Sequence, residues 1–128
     1  MPFAIKRIYE PYDESDGVRL LVDRLWPRGV SKDAARIDAW PKELTPSPQL
    51  RTWFGHKAEN FAEFAALYRA ELDARPEAQA TARQIIRQSA DQTVTLLYAA
   101  KDPQINHAIL LKQYLEDLST SSKGENAT

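Results

Sequence analysis

The stretch TVTLLYAA, residues 93–100, decides the fold of this chain. It is a continuous apolar run of strand length, which is typical of a central strand in a parallel sheet covered by helices. Two segments nearer the N-terminus also have strand-like composition, FAIKRIY at residues 3–9 and VRLLVDRL at residues 18–25. We therefore predict an α/β fold, a small three-layer-like domain with a short, mostly parallel sheet flanked by helices.

Helix signals fill most of the chain between and after these strands. Ser47 and Pro48 are a cap and a first-turn proline, so they predict a short helix through Phe54. Pro76 opens another helix to about Ala90, and Asp102 with Pro103 predicts the start of a last one. Apolar residues at helical spacing predict the buried faces of two helices: Phe61, Phe64, Ala65, Tyr68 and Leu72, then Ile105, Ile109, Leu111, Leu115 and Leu118.

Residues 26–48 form the long irregular connection of the fold. Four prolines and one glycine exclude a long helix there, while two tryptophans indicate that the segment is ordered. The last ten residues, STSSKGENAT, are polar and low in hydrophobicity. We expect one α/β domain over residues 1–118 and a flexible C-terminal tail over residues 119–128.

Composition limits the classes of function. The 128 residues are 43% hydrophobic and 27% charged, which suits one soluble domain. We find neither an apolar stretch long enough to span a bilayer nor a secretory signal, so we expect a cytoplasmic protein without membrane contact. Since the chain has no cysteine, disulfides, thiolate metal sites and thiol nucleophiles are excluded.

Charge is unevenly placed along the sequence. The net charge of -1 gives no global reason to expect nucleic-acid binding. Residues 19–36, however, contain five cations against two acids, a local excess of three. This local excess fits a small anionic ligand better than a long duplex.

Polar residues gather where two of the predicted strands end. In open parallel sheets ligands bind beyond the carboxyl ends of the strands. The segment DRLWPRG, residues 23–29, follows the second strand. Arg24 and Arg28 suit bidentate recognition of a carboxylate or phosphate, and Trp26 can stack on a planar group. Asp23 can act as a general base, or it can form an ion pair that only holds the loop.

The second group follows the predicted central strand and opens the last helix. Tyr98 and Lys101 lie at the strand exit, and Lys101 is a candidate electrostatic clamp. Asn106 and His107 fall in the expected first helical turn, where anions are favoured. His107 can donate to a phosphate or move a proton, or it can be a capping or packing histidine.

A third cluster is LRTWFGH, residues 50–56. Arg51 and His56 bracket two aromatic residues and can reach over the rim of a pocket, whereas Trp53 and Phe54 are expected in the core. The sequence has no glycine-rich phosphate loop, no GxSxG elbow and no histidine pair at metal-ligand spacing. We expect no metal dependence, and no particular cofactor is indicated.

Three ordered motifs carry a resemblance to a known family: VRLLVDRLWPRGVSK, TPSPQLRTWFGHK and VTLLYAAKDPQINHAILLKQYL. Together they closely resemble the short branch of the domain-of-unknown-function 488 family (DUF488). The resemblance implies a compact prokaryotic α/β protein and carries no established activity. A longer branch has a Cys-His-Arg triplet at the start of the last helix. Here the triplet is Asn106, His107 and Ala108, so only the histidine is shared and thiol catalysis is out of reach.

Two principal hypotheses follow. The first is a site for an anionic or nucleotide-like small molecule at the strand carboxyl ends, in either a binding protein or a metal-independent enzyme. The second is a non-catalytic module that binds nucleic acid or protein through residues 19–36. A third possibility is a structural protein in which the polar loops only close the fold. The oligomeric state is not predicted.

Overall fold

The computed structural model describes the backbone of residues 3–127 and the side chains of residues 3–120. Three strands, β1 (Phe3–Arg7), β2 (Val18–Leu21) and β3 (Val94–Tyr98), form one sheet in the order β1-β3-β2. Both outer strands run parallel to β3, so the predicted α/β class with a parallel sheet is confirmed. The helices are α1 (Lys32–Ala35), α2 (Pro48–Phe54), α3 (Phe61–Asp73), α4 (Pro76–Ser89) and α5 (His107–Ala127).

Strand β3 holds the sheet together. All five of its residues are buried, as the unbroken apolar run predicts. Val94 is in register with Phe3 on one side and with Val18 on the other. Because the three strands are parallel and start level, their carboxyl ends lie at one edge of the sheet.

Helices α2 to α5 cover one face of the sheet. Alternate residues of the strands, such as Leu20 and Leu96, belong to the same buried cluster as Phe64, Tyr68 and Leu72 of α3. Ile85 of α4 and Leu111 of α5 complete that cluster. The apolar spacing in the sequence identifies most of the buried positions of α3 and α5, but Ile105 lies before α5, and Ala65 and Ile109 are outside the cluster.

The irregular segment that follows β2 covers the other face. Leu21, Leu97 and Ala35 form a second buried cluster, against which Trp26 and Trp40 pack. The two indole rings meet edge to face at 5.5 Å between centroids. Sheet, helices and this segment make the three layers.

A short crossover joins β1 to β2 and passes through Gly17, which has a φ of 65°. A side chain there would place Cβ 2.1 Å from the carbonyl oxygen of Thr93, so only glycine fits. The next amide, that of Val18, donates to the same oxygen at 2.9 Å. The close approach starts the pairing of β2 with β3.

A buried guanidinium fastens the irregular segment to the sheet. Arg19 is 1% exposed and donates to the carbonyl oxygen of Ala35 from Nε (3.2 Å) and Nη2 (2.8 Å). Its Nη1 is paired with Asp16, whose carboxylate also contacts Lys6 Nζ at 3.1 Å. The amide of Arg19 donates to Asp38 at 2.8 Å. Arg19 is one of the five cations of residues 19–36, but its side chain is buried and does not reach the surface.

The first turn of α5 differs from the prediction. The helix begins at His107, because Asp102 closes a separate turn by accepting from the amides of Gln104 (2.8 Å) and Ile105 (3.0 Å). Asn106 is the cap instead: its Oδ1 accepts from the amide three residues on at 2.9 Å. The helix signal in the sequence is correct, and its position is four residues too early.

The other end of α5 extends beyond the predicted boundary. The helical backbone continues past Leu118 to Ala127, since no proline interrupts it. Side chains after residue 120 and residue 128 lie outside the described part, so the division into a domain and a flexible tail stays a prediction. Within residues 3–127, no helix has the length and apolar character needed to cross a bilayer.

Asp16 generates a prediction about stability and pH. Burial raises its pKa, but hydrogen bonds from Lys6, the Asp13 backbone and Arg19 outweigh burial and hold that pKa below its ordinary value. The stabilisation is therefore present above the pKa of about 3.9 for an unfolded Asp and is lost as pH falls through the lower folded-state value. We expect Asp16→Asn to lower the free energy of unfolding by about 3 kcal/mol, because Arg19 is left buried without its counterion.

Urea unfolding from neutral pH to below pH 4 measures this effect. Asp117→Asn is the matched control, because Asp117 pairs with Arg69 at the exposed surface and its loss is expected to cost less than about 1 kcal/mol. The Asp16→Asn variant is also expected to lose less stability than the parent chain in acid. Equal stability of the two variants at neutral pH would contradict the role given to Asp16.

Candidate functional site

A cleft of about 430 Å³ opens at the carboxyl edge of the sheet. Asp23, Arg24 and Leu25 reach it directly after β2, and Ala99 and Ala100 reach it after β3. Helix α2 and the start of α5 supply the remaining walls, with Arg51, Phe54, His56 and His107. Parallel strands thus bring together segments that are far apart in sequence, at the place where open sheets bind ligands.

Two guanidiniums line this cleft. Arg24 and Arg51 are both half-buried; Arg24 comes from the exit of β2 and Arg51 from α2. Among the described residues, neither side chain makes a hydrogen bond or an ion pair. The N–H donors of both guanidiniums are therefore available to bind an anion.

The floor of the cleft is aromatic. Phe54 and Phe64 stack at 4.1 Å between centroids with an interplanar angle of 6°. The His56 ring lies 5.7 Å from Phe54 at the rim. Gly55 ends α2 in the left-handed region and His56 follows in the same region, with a φ of 58°, which turns the chain back over the cleft.

Asp23 and His107 form a pair that faces the protein. Asp23 Oδ2 accepts from the amide of Ala99 at 3.0 Å, which joins the exits of β2 and β3. The other oxygen, Oδ1, is 3.3 Å from His107 Nε2. Nε2 is also 2.6 Å from the carbonyl oxygen of Val22. Because a carbonyl only accepts, Nε2 carries the hydrogen in the neutral ring.

Only one oxygen of the Asp23 carboxylate is hydrogen-bonded, the Oδ2 that accepts from Ala99. Asp23 Oδ1 is buried beside His107 and has no hydrogen-bond partner within the described part of the chain. His107 lines the cleft, but its Nε2 is already engaged, so Nδ1 is the ring nitrogen left for a ligand.

The segment DRLWPRG divides after Leu25. Trp26 turns onto the second buried cluster, where its Nε1 donates to the carbonyl oxygen of Val30 at 2.6 Å. Arg28 is exposed, and its carbonyl oxygen accepts from the hydroxyl of Tyr9 at 3.0 Å. Gly29 has a φ of 78° with open space around it, so it serves the turn and not a close approach. Trp26 and Arg28 therefore do not line the cleft, contrary to the sequence-based grouping.

Three other predicted residues lie elsewhere. Tyr98 is buried in the main core, and that burial raises the pKa of its hydroxyl. Asn106 is 1% exposed and is used in capping α5, where its Nδ2 also donates to the carbonyl oxygen of Asp102. Lys101 is exposed and lines a second, adjoining cleft.

The second cleft measures about 700 Å³ and shares His56, Ala99 and Ala100 with the first. Its wall includes Arg7, which sequence reasoning missed. The guanidinium of Arg7 donates to the carbonyl oxygens of Ala100 (Nε, 2.9 Å) and Ala99 (Nη2, 3.0 Å). The signal for Arg7 was its place at the end of β1, the third strand to end at this edge.

The described residues do not contain a group of three or more His, Asp or Glu side chains able to hold a metal ion. The two clefts together are lined by four cationic side chains (Arg7, Arg24, Arg51 and Lys101) against two carboxylates (Asp23 and Asp102). Such a set is suited to an anion rather than to a cation.

The His107 geometry generates a prediction that NMR can test. With its imidazole ring neutral, ¹⁵N-labelled His107 is expected to show a protonated Nε2 and an unprotonated Nδ1, because the carbonyl oxygen of Val22 fixes the tautomer. His56 is the internal control, since its ring is exposed and is expected to show both tautomers. A protonated Nδ1 at His107 would contradict the geometry, and Asp23→Asn is expected to weaken the preference.

Comparison with known proteins agrees with the sequence and the fold. A family described as "Inactive DUF488-N3 subclade" matches residues 2–128. The uncharacterised protein YeaO of Escherichia coli is 42% identical over 118 residues, which cover 92% of this chain and all of YeaO. The uncharacterised protein Rv3073c of Mycobacterium tuberculosis is 38% identical over 111 residues, 87% of this chain and 91% of that protein. No solved structure matches this chain.

The family match spans almost the whole chain, and the relatives match over nearly their whole length. The resemblance drawn from the three sequence motifs is thereby confirmed. The chain belongs to the DUF488 family, in the group described as the inactive DUF488-N3 subclade.

Proposed function

We propose that this protein binds a small anionic molecule in the carboxyl-edge cleft and does not chemically convert it. The observation that carries this proposal is that one cleft is lined by two half-buried arginines, Arg24 and Arg51. Neither guanidinium has a partner among the described side chains. Their donors are therefore free to bind an anion in that cleft.

The strength of anion binding by Arg24 and Arg51 depends on how far these side chains are buried. A guanidinium presents a planar fork of donors that matches carboxylate and phosphate oxygens. In a partly desolvated cleft each charge-assisted hydrogen bond contributes about 1.5–3 kcal/mol. Arg24 and Arg51 together therefore support binding of phosphate-like groups.

The aromatic floor favours a ligand with a planar ring as well as an anionic group. Phe54 and Phe64 line the cleft but are only 2% and 1% exposed, so the exposed ring of His56 is the aromatic group open to a ligand. A planar ligand ring stacks on such a group and keeps its polar edges free. A nucleotide-like molecule has both parts, with its ring against His56 and its phosphate at the arginines.

The absence of conversion rests on the missing thiol and on the description of the family. The chain has no cysteine, so it has no thiol nucleophile. The family is described as an inactive subclade. These observations support binding over catalysis.

The alternative of a nucleic-acid or protein surface over residues 19–36 has less support. Arg19 is buried, and Arg24 lines the cleft. Arg36 lies over the ring of Tyr12 at 4.5 Å. Arg28, Lys32 and Arg36 are the exposed cations of that segment, which is few for a surface that binds through phosphates.

Calorimetric titration with adenosine monophosphate and with inorganic phosphate at low salt tests the proposal. We expect Arg24→Ala and Arg51→Ala each to weaken binding about tenfold or more, because each removes charge-assisted hydrogen bonds. Arg28→Ala is the matched control and is expected to leave affinity unchanged, since Arg28 lies outside the cleft. Unfolding temperatures confirm that the variants fold.

Two results would count against the proposal. Affinity unaffected by Arg24→Ala and Arg51→Ala, or equally reduced by Arg28→Ala, would place the anion elsewhere. Conversion of adenosine monophosphate during prolonged incubation, followed by ³¹P NMR, would refute the binding-only part.

A further inference from the structure

We infer that the two adjoining clefts form one site for a nucleotide with more than one phosphate, so that the phosphate chain continues from the first cleft into the second. This inference rests on the proposed function. The clefts share His56, Ala99 and Ala100, so they lie side by side along the carboxyl edge of the sheet.

The second cleft has its own cations. Arg7 is fixed along one edge by the carbonyl oxygens of Ala99 and Ala100, so its guanidinium is held in place. Its Nη1 has no hydrogen-bond partner among the described residues. Lys101 is exposed on the same cleft, which gives one anchored cation and one mobile cation. A preorganised charge costs less to use in binding than one that must be ordered.

Acidic groups do not cancel this charge. Asp102 is the carboxylate that lines the second cleft, against Arg7 and Lys101. Its Oδ1 accepts from the amides of Gln104 and Ile105, which directs that oxygen toward the turn. The second cleft therefore keeps a net positive charge.

The junction between the clefts suits the passage of a phosphate chain. Ala99 and Ala100 have small side chains, so nothing bulky from β3 divides the two spaces. Their carbonyl oxygens are occupied by Arg7. An anion that crosses here thus meets a guanidinium instead of unpaired carbonyl oxygens.

The sizes of the clefts agree with this division. The first, about 430 Å³ with an aromatic floor, suits a ring and its first phosphate. The second, about 700 Å³, is lined by two cations, Arg7 and Lys101, together with Asp102 and the exposed aromatic residue Tyr9. We place further phosphates in the second cleft because of these two cations, and the ring in the first.

Parallel titrations with adenosine monophosphate and adenosine diphosphate, using the full chain, test the inference. We expect the diphosphate to bind at least about tenfold more tightly, because it adds charge-assisted hydrogen bonds. Lys101→Ala is expected to reduce that advantage several-fold while leaving monophosphate affinity unchanged. Arg51→Ala is expected to weaken both ligands. Lys32→Ala, which removes an exposed lysine far from either cleft, is the control.

The other possible outcomes distinguish failure of the two-cleft site from failure of the proposed function. Equal affinities for both ligands, or a Lys101→Ala variant that binds the diphosphate as tightly as the parent chain, would overturn the two-cleft site and leave the proposed function intact. If neither nucleotide binds, both the two-cleft site and the proposed function are overturned. Reduction of monophosphate affinity by Lys101→Ala would assign Lys101 to the first phosphate and also overturn the inference.

Discussion

The buried guanidinium of Arg19 is the interaction on which the rest of this structure depends. It bonds the carbonyl oxygen of Ala35 and pairs with Asp16, and so fixes the irregular segment and the β1–β2 crossover to one face of the sheet. That segment carries Trp40, whose Nε1 donates to the backbone oxygen of Asp23 at 2.7 Å. The exit of β2, and with it the cleft wall, is held from behind by this layer. Removing one member of this buried charge group would leave the others uncompensated and so destabilise the layer.

The parallel arrangement of the strands brings the remaining parts of the site together. A parallel sheet needs crossover connections, and these place every strand exit at the same edge. Arg7, Asp23 and Ala99 come from three strands that are separated widely in sequence, yet Arg7 and Asp23 each bond the backbone that follows β3. The site is thus built by backbone acceptors and donors that the sheet leaves unpaired at its end. Charged side chains at these positions serve the fold and shape the clefts at the same time.

Much of the fold and part of the site follow from sequence. Unbroken apolar runs and three- and four-residue spacings locate the strands and buried helix faces, because burial depends on local periodicity. Trp26 and Arg28 were misplaced because their direction depends on the turn after Leu25 and on packing against Trp40, which no local pattern encodes. Asn106 was assigned to a ligand, although Asp102 forms its own turn and leaves Asn106 as the cap. Arg7 was not predicted, because an arginine at the end of a strand is normally solvated. Its contact with the backbone after β3 depends on which strand lies beside β1.

A crystal structure of the protein with adenosine monophosphate bound would show whether the cations of the carboxyl-edge cleft hold an anion. Phosphate oxygens are expected within hydrogen-bond distance of Arg24 and Arg51, with the adenine ring against the aromatic residues of the cleft. Nucleotide bound beside Arg28 and Lys32, with Arg24 and Arg51 turned away from it, would rule out anion binding in this cleft.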